Sequence, residues 1–387
     1  MALDAPIARG TVLGDFEVRD VLARGGMGTV YTAVQRSTGA PCALKVMHAS
    51  LLHDAHHRER FMREAELCAR IESEHVVRVL ASGIDASRDA PWIAMELVEG
   101  DDLEKLGQRS PPLAPEEVRE VLRQLYAGVA AAHRMGVVHR DLKPQNVLLS
   151  RNKEGALHVK VLDFGISKAS DQSGTDTTAA VGSPLWMAPE QAQRGRLTPA
   201  TDVFALALLT FRLLTGRSYW RSAMEKRPSL KETLIELLMR PYPPASARVT
   251  ELGGTPLPAG FDAWFDRAAN RDASKRFPNA GAAWEALARV LDGTATDSSA
   301  KQAPSPAPVV DEDMVATTAI PRSRLPAIST NVLRSPTPTP LPQLLDEVRA
   351  ARKETSPLHR VAFRLAVLAV LIILVVTMFV IHSRLPR

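Results

Sequence analysis

The sequence predicts an α+β chain of two unequal lobes: a small β-rich one, then a larger helical one, with a cleft between them. Two patterns predict this order. Apolar and polar residues alternate over 16–34 around a glycine cluster, and strand-like runs recur at 43–47 and 92–98. From Pro115 onward the apolar residues recur at the helical period instead. A third observation bounds the folded part. After residue 291 periodicity stops, and proline, serine, threonine and alanine dominate.

The elements follow in order. Residues 1–15 read as an N-terminal extension, and the first lobe as 16–98. Residues 16–34 form a strand–loop–strand unit, and 43–47 a further strand. Residues 58–72 are helical, with Phe61, Ala65 and Cys68 on one side. The second lobe spans 99–291. Val118, Val121, Leu122, Leu125 and Val129 mark its first long helix, and Gly136 offers the stop. Residues 203–214 are apolar nearly all round, as in a central buried helix. Residues 263–271 and 280–291 close the lobe. No internal repeat is visible.

The stretch 292–360 is too poor in apolar residues to offset chain entropy and reads as a disordered linker. Residues 361–381 then form an apolar run. At 1.5 Å per residue they reach roughly 31 Å, about one hydrocarbon core, so a single transmembrane helix is expected. Arg364 lies one turn inside and can snorkel outward. A tail, 382–387, follows.

The net charge of +5 is modest and the arginines are scattered, so no nucleic-acid partner is expected. No signal peptide is visible at the N-terminus. Cys42 and Cys68 lie in apolar surroundings, which suits a reducing compartment and argues against a disulfide or metal site.

The residues that carry chemistry fall in a fixed order. Gly25, Gly26 and Gly28 lie between two strands, where glycine lets backbone amides approach phosphate oxygens; Val30 follows. Lys45 sits in an apolar strand, and burying an ammonium there requires an anion. Glu64, in the next helix, is the expected partner, and the pair would present Lys45 to the α- and β-phosphates of ATP. His139-Arg140-Asp141-Leu142-Lys143-Pro144-Gln145-Asn146 puts a carboxylate, an amine and an amide on one loop. Asp141 would accept or orient a hydroxyl proton, and Lys143 would neutralise the γ-phosphate. Asn146 and Asp163 would hold Mg²⁺, which prefers few protein oxygens plus phosphate and water. Glu190 and Arg276 are an expected structural ion pair. Asp202 caps either the catalytic-loop amides or its own helix.

Together these motifs resemble the protein kinase superfamily, specifically the bacterial eukaryotic-like Ser/Thr kinases. Gly25-Gly26-Met27-Gly28, the 139–146 loop, Asp163-Phe164-Gly165 and Met187-Ala188-Pro189-Glu190 carry the resemblance, over roughly 16–291. It implies a bilobal protein-kinase-like fold, ATP with Mg²⁺ (Mn²⁺ as a substitute), and transfer to Ser/Thr hydroxyls of protein substrates. It assigns Met95 to the back of the adenine pocket, and Glu96 and Val98 to the hinge. Ala23 stands where the family has a further glycine, and Ala207 where a glycine is common. Ser183 replaces a usual threonine whose hydroxyl contacts Asp141. Lys143, two residues after Asp141, resembles the Ser/Thr type.

The resemblance also implies that Arg140 pairs with a phosphate on the activation segment. Autophosphorylation is expected at Thr178, with Thr177 next and Thr175 also in range. A homodimer for that step is left open; residues 365–381 lack the Gly-xxx-Gly pattern of helix pairs. Arg349, Arg352, Lys353, Arg360 and Arg364 precede the apolar run, against Arg384 and Arg387 after it. That bias places the kinase domain on the cytoplasmic side of the cell membrane, tail-anchored without an outer sensor domain. Two rivals remain. A nucleotide-binding pseudokinase scaffold usually lacks one of Lys45, Glu64, Asp141, Asn146 and Asp163, all present here. A small-molecule kinase would not need the Ala188-Pro189-Glu190 platform.

Overall fold

The computed structural model describes residues 7–25, 28–48, 55–85, 87, 90–108, 113–164, 184–224 and 230–294. All belong to one compact unit. The linker, the apolar run 361–381, Gly26, Ser183 and Thr175–Thr178 lie outside the described residues. Among those described, no helix is long and apolar enough to cross a membrane.

The first lobe holds β1 (Val12–Leu13), β2 (Phe16–Gly25), β3 (Gly28–Gln35), β4 (Pro41–Met47), α1 (Ala55–Ala69), β5 (Val79–Asp85) and β6 (Ala90–Glu96). The strands form an antiparallel sheet in the order β1-β2-β3-β4-β6-β5. Alternation gives it two faces. Leu13, Phe16, Val18, Tyr31, Cys42, Leu44 and Trp92 pack on the outer face as a separate apolar cluster. Ala43, Met47, Ile93 and Met95 face inward and join the main core, with Val30 packed against them. The register puts Ala23, Val30, Lys45 and Ile93 in one row across four strands. That row carries three residues expected at the cleft.

β2 slips register between Val18 and Val21 and again between Val21 and Ala23. Such bulges sharpen the local twist. A Cβ at Gly28 would collide with the Val46 carbonyl, so only glycine permits this hairpin to lie so close to β4.

The second lobe begins with β7 (Asp101–Asp102) and α2 (Leu103–Gly107), then α3 (Pro115–Arg134). Pro115 opens α3 at a position whose amide would have no intrahelical acceptor, and Glu117 accepts from the Ala114 amide at 2.9 Å. Val118, Val121, Leu122, Leu125 and Val129 are all buried, each contributing about 1.5–3 kcal/mol relative to exposure. Gly136, at φ 74°, follows the helix end. β8 (Val147–Arg151) lies between β7 and β9 (Leu157–Val161) in a small antiparallel sheet. Beyond it come α4 (Pro189–Ala192), α5 (Pro199–Thr215), α6 (Leu230–Leu238), α7 (Ala245–Leu252), α8 (Phe261–Ala268) and α9 (Ala280–Leu291). α5 is buried from Ala200 to Phe211, as its all-round apolar sequence requires.

The segment between α1 and β5 joins the lobes. Val161 N–H donates to the His75 carbonyl, and Val77 N–H to the Val161 carbonyl, both at 2.9 Å. The Glu96 amide donates to the Arg78 carbonyl at 2.9 Å. β9 of one lobe and β6 of the other are thus bound to the same short stretch.

Several expected bounds shift. The helix expected at 58–72 runs three residues earlier, Ala55–Ala69, and the strand expected to 98 stops at Glu96. α8 ends at Ala268, not at 271. β5, with the sequence Val-Leu-Ala-Ser-Gly-Ile-Asp, escaped sequence reading because its small and polar residues break alternation. Cys42 and Cys68 are buried free thiols.

Candidate active site

Asp202, on the first turns of α5, organises the catalytic loop. Its Oδ2 accepts from the His139 amide at 2.7 Å and its Oδ1 from the Arg140 amide at 2.9 Å. Of the two roles open from the sequence, loop capping is the one observed. His133, at the end of α3, contacts Asp202 Oδ2 through Nε2 at 2.9 Å. Its Nδ1 accepts from the Ala280 amide at 3.2 Å, which leaves Nε2 to carry the proton and donate. Burial pushes the Asp202 carboxyl upward. Hydrogen bonds from the His133 ring and from the His139 amide pull it further down, so it sits below the ordinary carboxylate value.

His139 fixes the next link. Its Nδ1 accepts from the Asp141 amide at 3.2 Å, so Nε2–H donates to the Leu162 carbonyl at 2.7 Å. Complete burial lowers its pKa and favours this neutral ring. The ring packs on Phe164, centroids 4.7 Å apart. Arg140, at φ 64°, is left-handed. This turn lets two successive amides reach one carboxylate.

Asp141 Oδ2 accepts from Lys143 Nζ at 2.7 Å and from Asn146 Nδ2 at 3.2 Å. Asn146 Nδ2 also donates to the Asp141 carbonyl at 2.8 Å, which orients the amide and turns its Oδ1 away as an oxygen donor. The Leu162 amide donates to the Asn146 carbonyl at 2.9 Å, placing Asp163 beside this loop. Asp163 is itself left-handed, φ 54°, and its Oδ2 meets Lys45 Nζ at 2.9 Å. Asp141, Lys143, Asn146, Asp163 and Lys45 are therefore brought together at one cleft. The donor chemistry fits Mg²⁺: one amide oxygen and one carboxylate are a sparse, hard set that leaves room for phosphate and water.

Glu64 departs from expectation. Lys45 pairs with Asp163, and Glu64 Oε1 instead takes Arg140 Nη1 at 3.2 Å. The expected Lys45–Glu64 ion pair is not formed among the described residues. α1 is a rod whose position is set by Phe61, Ala65 and Cys68 in the core, and in that position Glu64 reaches the catalytic loop rather than β4. Buried Cys68 has its thiol pushed up to about 12 by burial and by Glu64, against Arg140.

Met95 is buried as part of the main core. The Glu96 side chain accepts from Lys160 Nζ at 2.5 Å and from the Arg78 amide at 2.9 Å, which ties the C-terminal end of β6 to β9. Val98 lies just beyond, half-buried. Gly25 pairs with Gly28 at the hairpin mouth. Glu190 and Arg276 form the expected ion pair, and its geometry is bidentate, both contacts 2.7 Å. Sequence reading assigned no role to His133, His139 or Lys160. A histidine in the apolar Ala-Ala-His133 end of α3 was the available signal for the first.

Residues 16–253 match the family model described as the protein kinase domain. The chain is 34% identical over 325 residues to serine/threonine-protein kinase PknH of Mycobacterium tuberculosis (strain CDC 1551 / Oshkosh), covering 81% of this chain and 49% of that protein. It is 34% identical over 278 residues to PknL of Mycobacterium bovis, covering 71% and 66%. With Pkn1 of Myxococcus xanthus it shares 38% over 240 residues, covering 62% and 33%. The chain thus spans about half the length of PknH and less of Pkn1. A crystal structure of the M. tuberculosis PknI kinase domain superposes with TM-score 0.56 at 26% identity, covering 74% of this chain and 100% of that one. With the bilobal architecture and the loop geometry above, these matches lead to one statement: the chain belongs to the protein kinase family, among relatives that are bacterial serine/threonine-protein kinases.

Proposed function

We propose that this chain is an ATP-dependent serine/threonine protein kinase. One observation carries the reading: Asp141, locked to Lys143 and Asn146, shares a cleft with Lys45 bound to Asp163. Asp141 accepts or orients the proton of a Ser/Thr hydroxyl, and Lys143 meets charge that develops on the transferred group. Lys45 holds the nucleotide phosphates. Asn146 and Asp163 would hold Mg²⁺, which when bound neutralises phosphate charge. Ala23, Gly25, Gly26, Gly28, Val30, Met95, Glu96 and Val98 would line the nucleotide site. Transfer of label from radioactive ATP to a generic basic protein, with Asp141→Asn as control, tests the reading. Wild-type protein that binds nucleotide yet transfers nothing would defeat it.

That second outcome would describe a nucleotide-binding scaffold. The Glu64–Arg140 pair in place of Lys45–Glu64 is the observation that favours it. The intact set Lys45, Asp141, Asn146 and Asp163 favours catalysis.

Three finer parts of the proposal have their own tests. The activation segment autophosphorylates at Thr178, then Thr177; mass spectrometry that finds no phosphate on 171–178 after incubation with ATP would remove this. Residues 361–381 anchor the chain in the cell membrane with the kinase domain cytoplasmic. Cleavage of that domain by protease added outside intact cells would refute the orientation. Mg²⁺ supports transfer and Mn²⁺ substitutes; undiminished activity in a chelator would refute both.

A further inference from the structure

Arg140 is a non-glycine residue in left-handed backbone, a conformation that costs an L-residue roughly 1–2 kcal/mol. Such a residue persists only when its surroundings over-determine it. Asp202 supplies one restraint, at the Arg140 amide. The other lies at the opposite end of the same residue. The Arg140 carbonyl accepts from Gln191 Nε2 at 2.7 Å, across 51 residues of sequence.

Gln191 is the third residue of α4, and its Oε1 accepts from the Ala188 amide at 2.9 Å. The amide orientation is settled by its partners: an N–H on one side demands the oxygen, and a carbonyl on the other demands the nitrogen. One side chain therefore closes the first turn of α4 and grips the catalytic loop. α4 is itself fixed. Glu190 is held bidentately by Arg276, whose Nη1 also donates to the Ala200 carbonyl at 2.8 Å. Rotation at Arg140 would swing the next residue, Asp141.

We infer that Gln191 is a positioning residue for Asp141, acting through the Arg140 carbonyl and coupling the Ala188-Pro189-Glu190 segment to the catalytic loop. The inference deepens the transfer reading and rests on it. Helix capping alone is the competing role, and one substitution separates the two. Gln191→Glu keeps an oxygen for the Ala188 amide, a glutamate being a regular capping-box partner. It also replaces the donor facing Arg140 with a carboxylate oxygen. Gln191→Leu removes both contacts.

If Gln191 positions the loop, Gln191→Glu lowers kcat about 10- to 100-fold, as a misplaced catalytic group does, with KM for ATP unchanged. Its melting temperature falls only by what one lost hydrogen bond accounts for, while that of Gln191→Leu, which loses both contacts, falls further. Amide hydrogen exchange reads the same contact without catalysis. The 139–146 peptide should exchange about three- to tenfold faster in Gln191→Glu, the equivalent of one net hydrogen bond, with the α4 peptide unchanged. Wild-type exchange in that peptide, or a wild-type kcat in Gln191→Glu, would overturn the inference. Absent transfer in the wild-type protein would instead count against the kinase reading, and the exchange arm would still decide the role of Gln191.

Discussion

The catalytic loop and the charged side chains under the first lobe meet in one cleft, but they are held by different physics. From His139 to Asp141, successive backbone amides are bound by Asp202 or by the His139 ring, and Asp202 is buried. The Lys45–Asp163 and Arg140–Glu64 pairs are contacts between side chains alone. Arg140 is 28% and Glu64 21% exposed, whereas Lys45 is 12% and Asp163 33% exposed. Backbone bonds to a buried carboxylate leave the loop one arrangement. The Arg140–Glu64 pair is partly solvated and worth little, so Glu64 can exchange partners at small cost. The difference assigns rigidity to the loop that carries Asp141 and adaptability to Glu64.

The largest effect is expected at the rigid end. Asp141→Asn should lower kcat by about 10²–10⁴-fold and leave the melting curve intact, read by label transfer and calorimetry. A comparable loss from Glu64→Gln would break the contrast. Next comes Asp202→Asn, which turns an acceptor into a donor opposite amide donors. It should destabilise the fold by about 1–3 kcal/mol or more in denaturant titration and lower kcat with it.

At the adaptable end, Glu64→Gln should change stability by no more than about 1 kcal/mol. Its effect on transfer sharpens the comparison. If Glu64 moves to Lys45 during turnover, kcat/KM for ATP falls; if the Arg140 pair is its sole role, kcat/KM is unaltered. The smallest effect concerns pH. The folded-state pKa of His139 is depressed by burial, so the unfolded chain takes up a proton near pH 6.5 while the folded one does not. Stability should be full above that pH and decline as pH falls toward the folded value. Melting temperatures at pH 7 and pH 5.5 should differ less in His139→Gln than in wild type.

Much of the site was legible because its parts lie close in sequence. The 139–146 loop carries Asp141, Lys143 and Asn146 within six residues, and their bonds to one another are local. Alternation over 16–34 announced the first two strands and the apolar run 43–47 a third, whereas the residues that share a row with Lys45 follow from the strand register. The apolar stripe of α3 and the all-apolar α5 were readable for the same reason: periodicity reports burial.

Partner choice was not local. Glu64 is 19 residues from Lys45 and 76 from Arg140. Nothing in residue order ranks those two cations. The packing of α1 through Phe61, Ala65 and Cys68 ranks them, because it fixes where the helix sits between the sheet and the loop. The same holds for His133 on Asp202, Lys160 on Glu96 and Gln191 on Arg140, each a polar contact across 51 or more residues. Residue types and spacing established the chemistry available to this chain, since those depend on side-chain structure and the periods of helix and strand. Which charge meets which, and what holds Arg140 in its turn, depend on distances between packed elements, and those exist only once the core has formed.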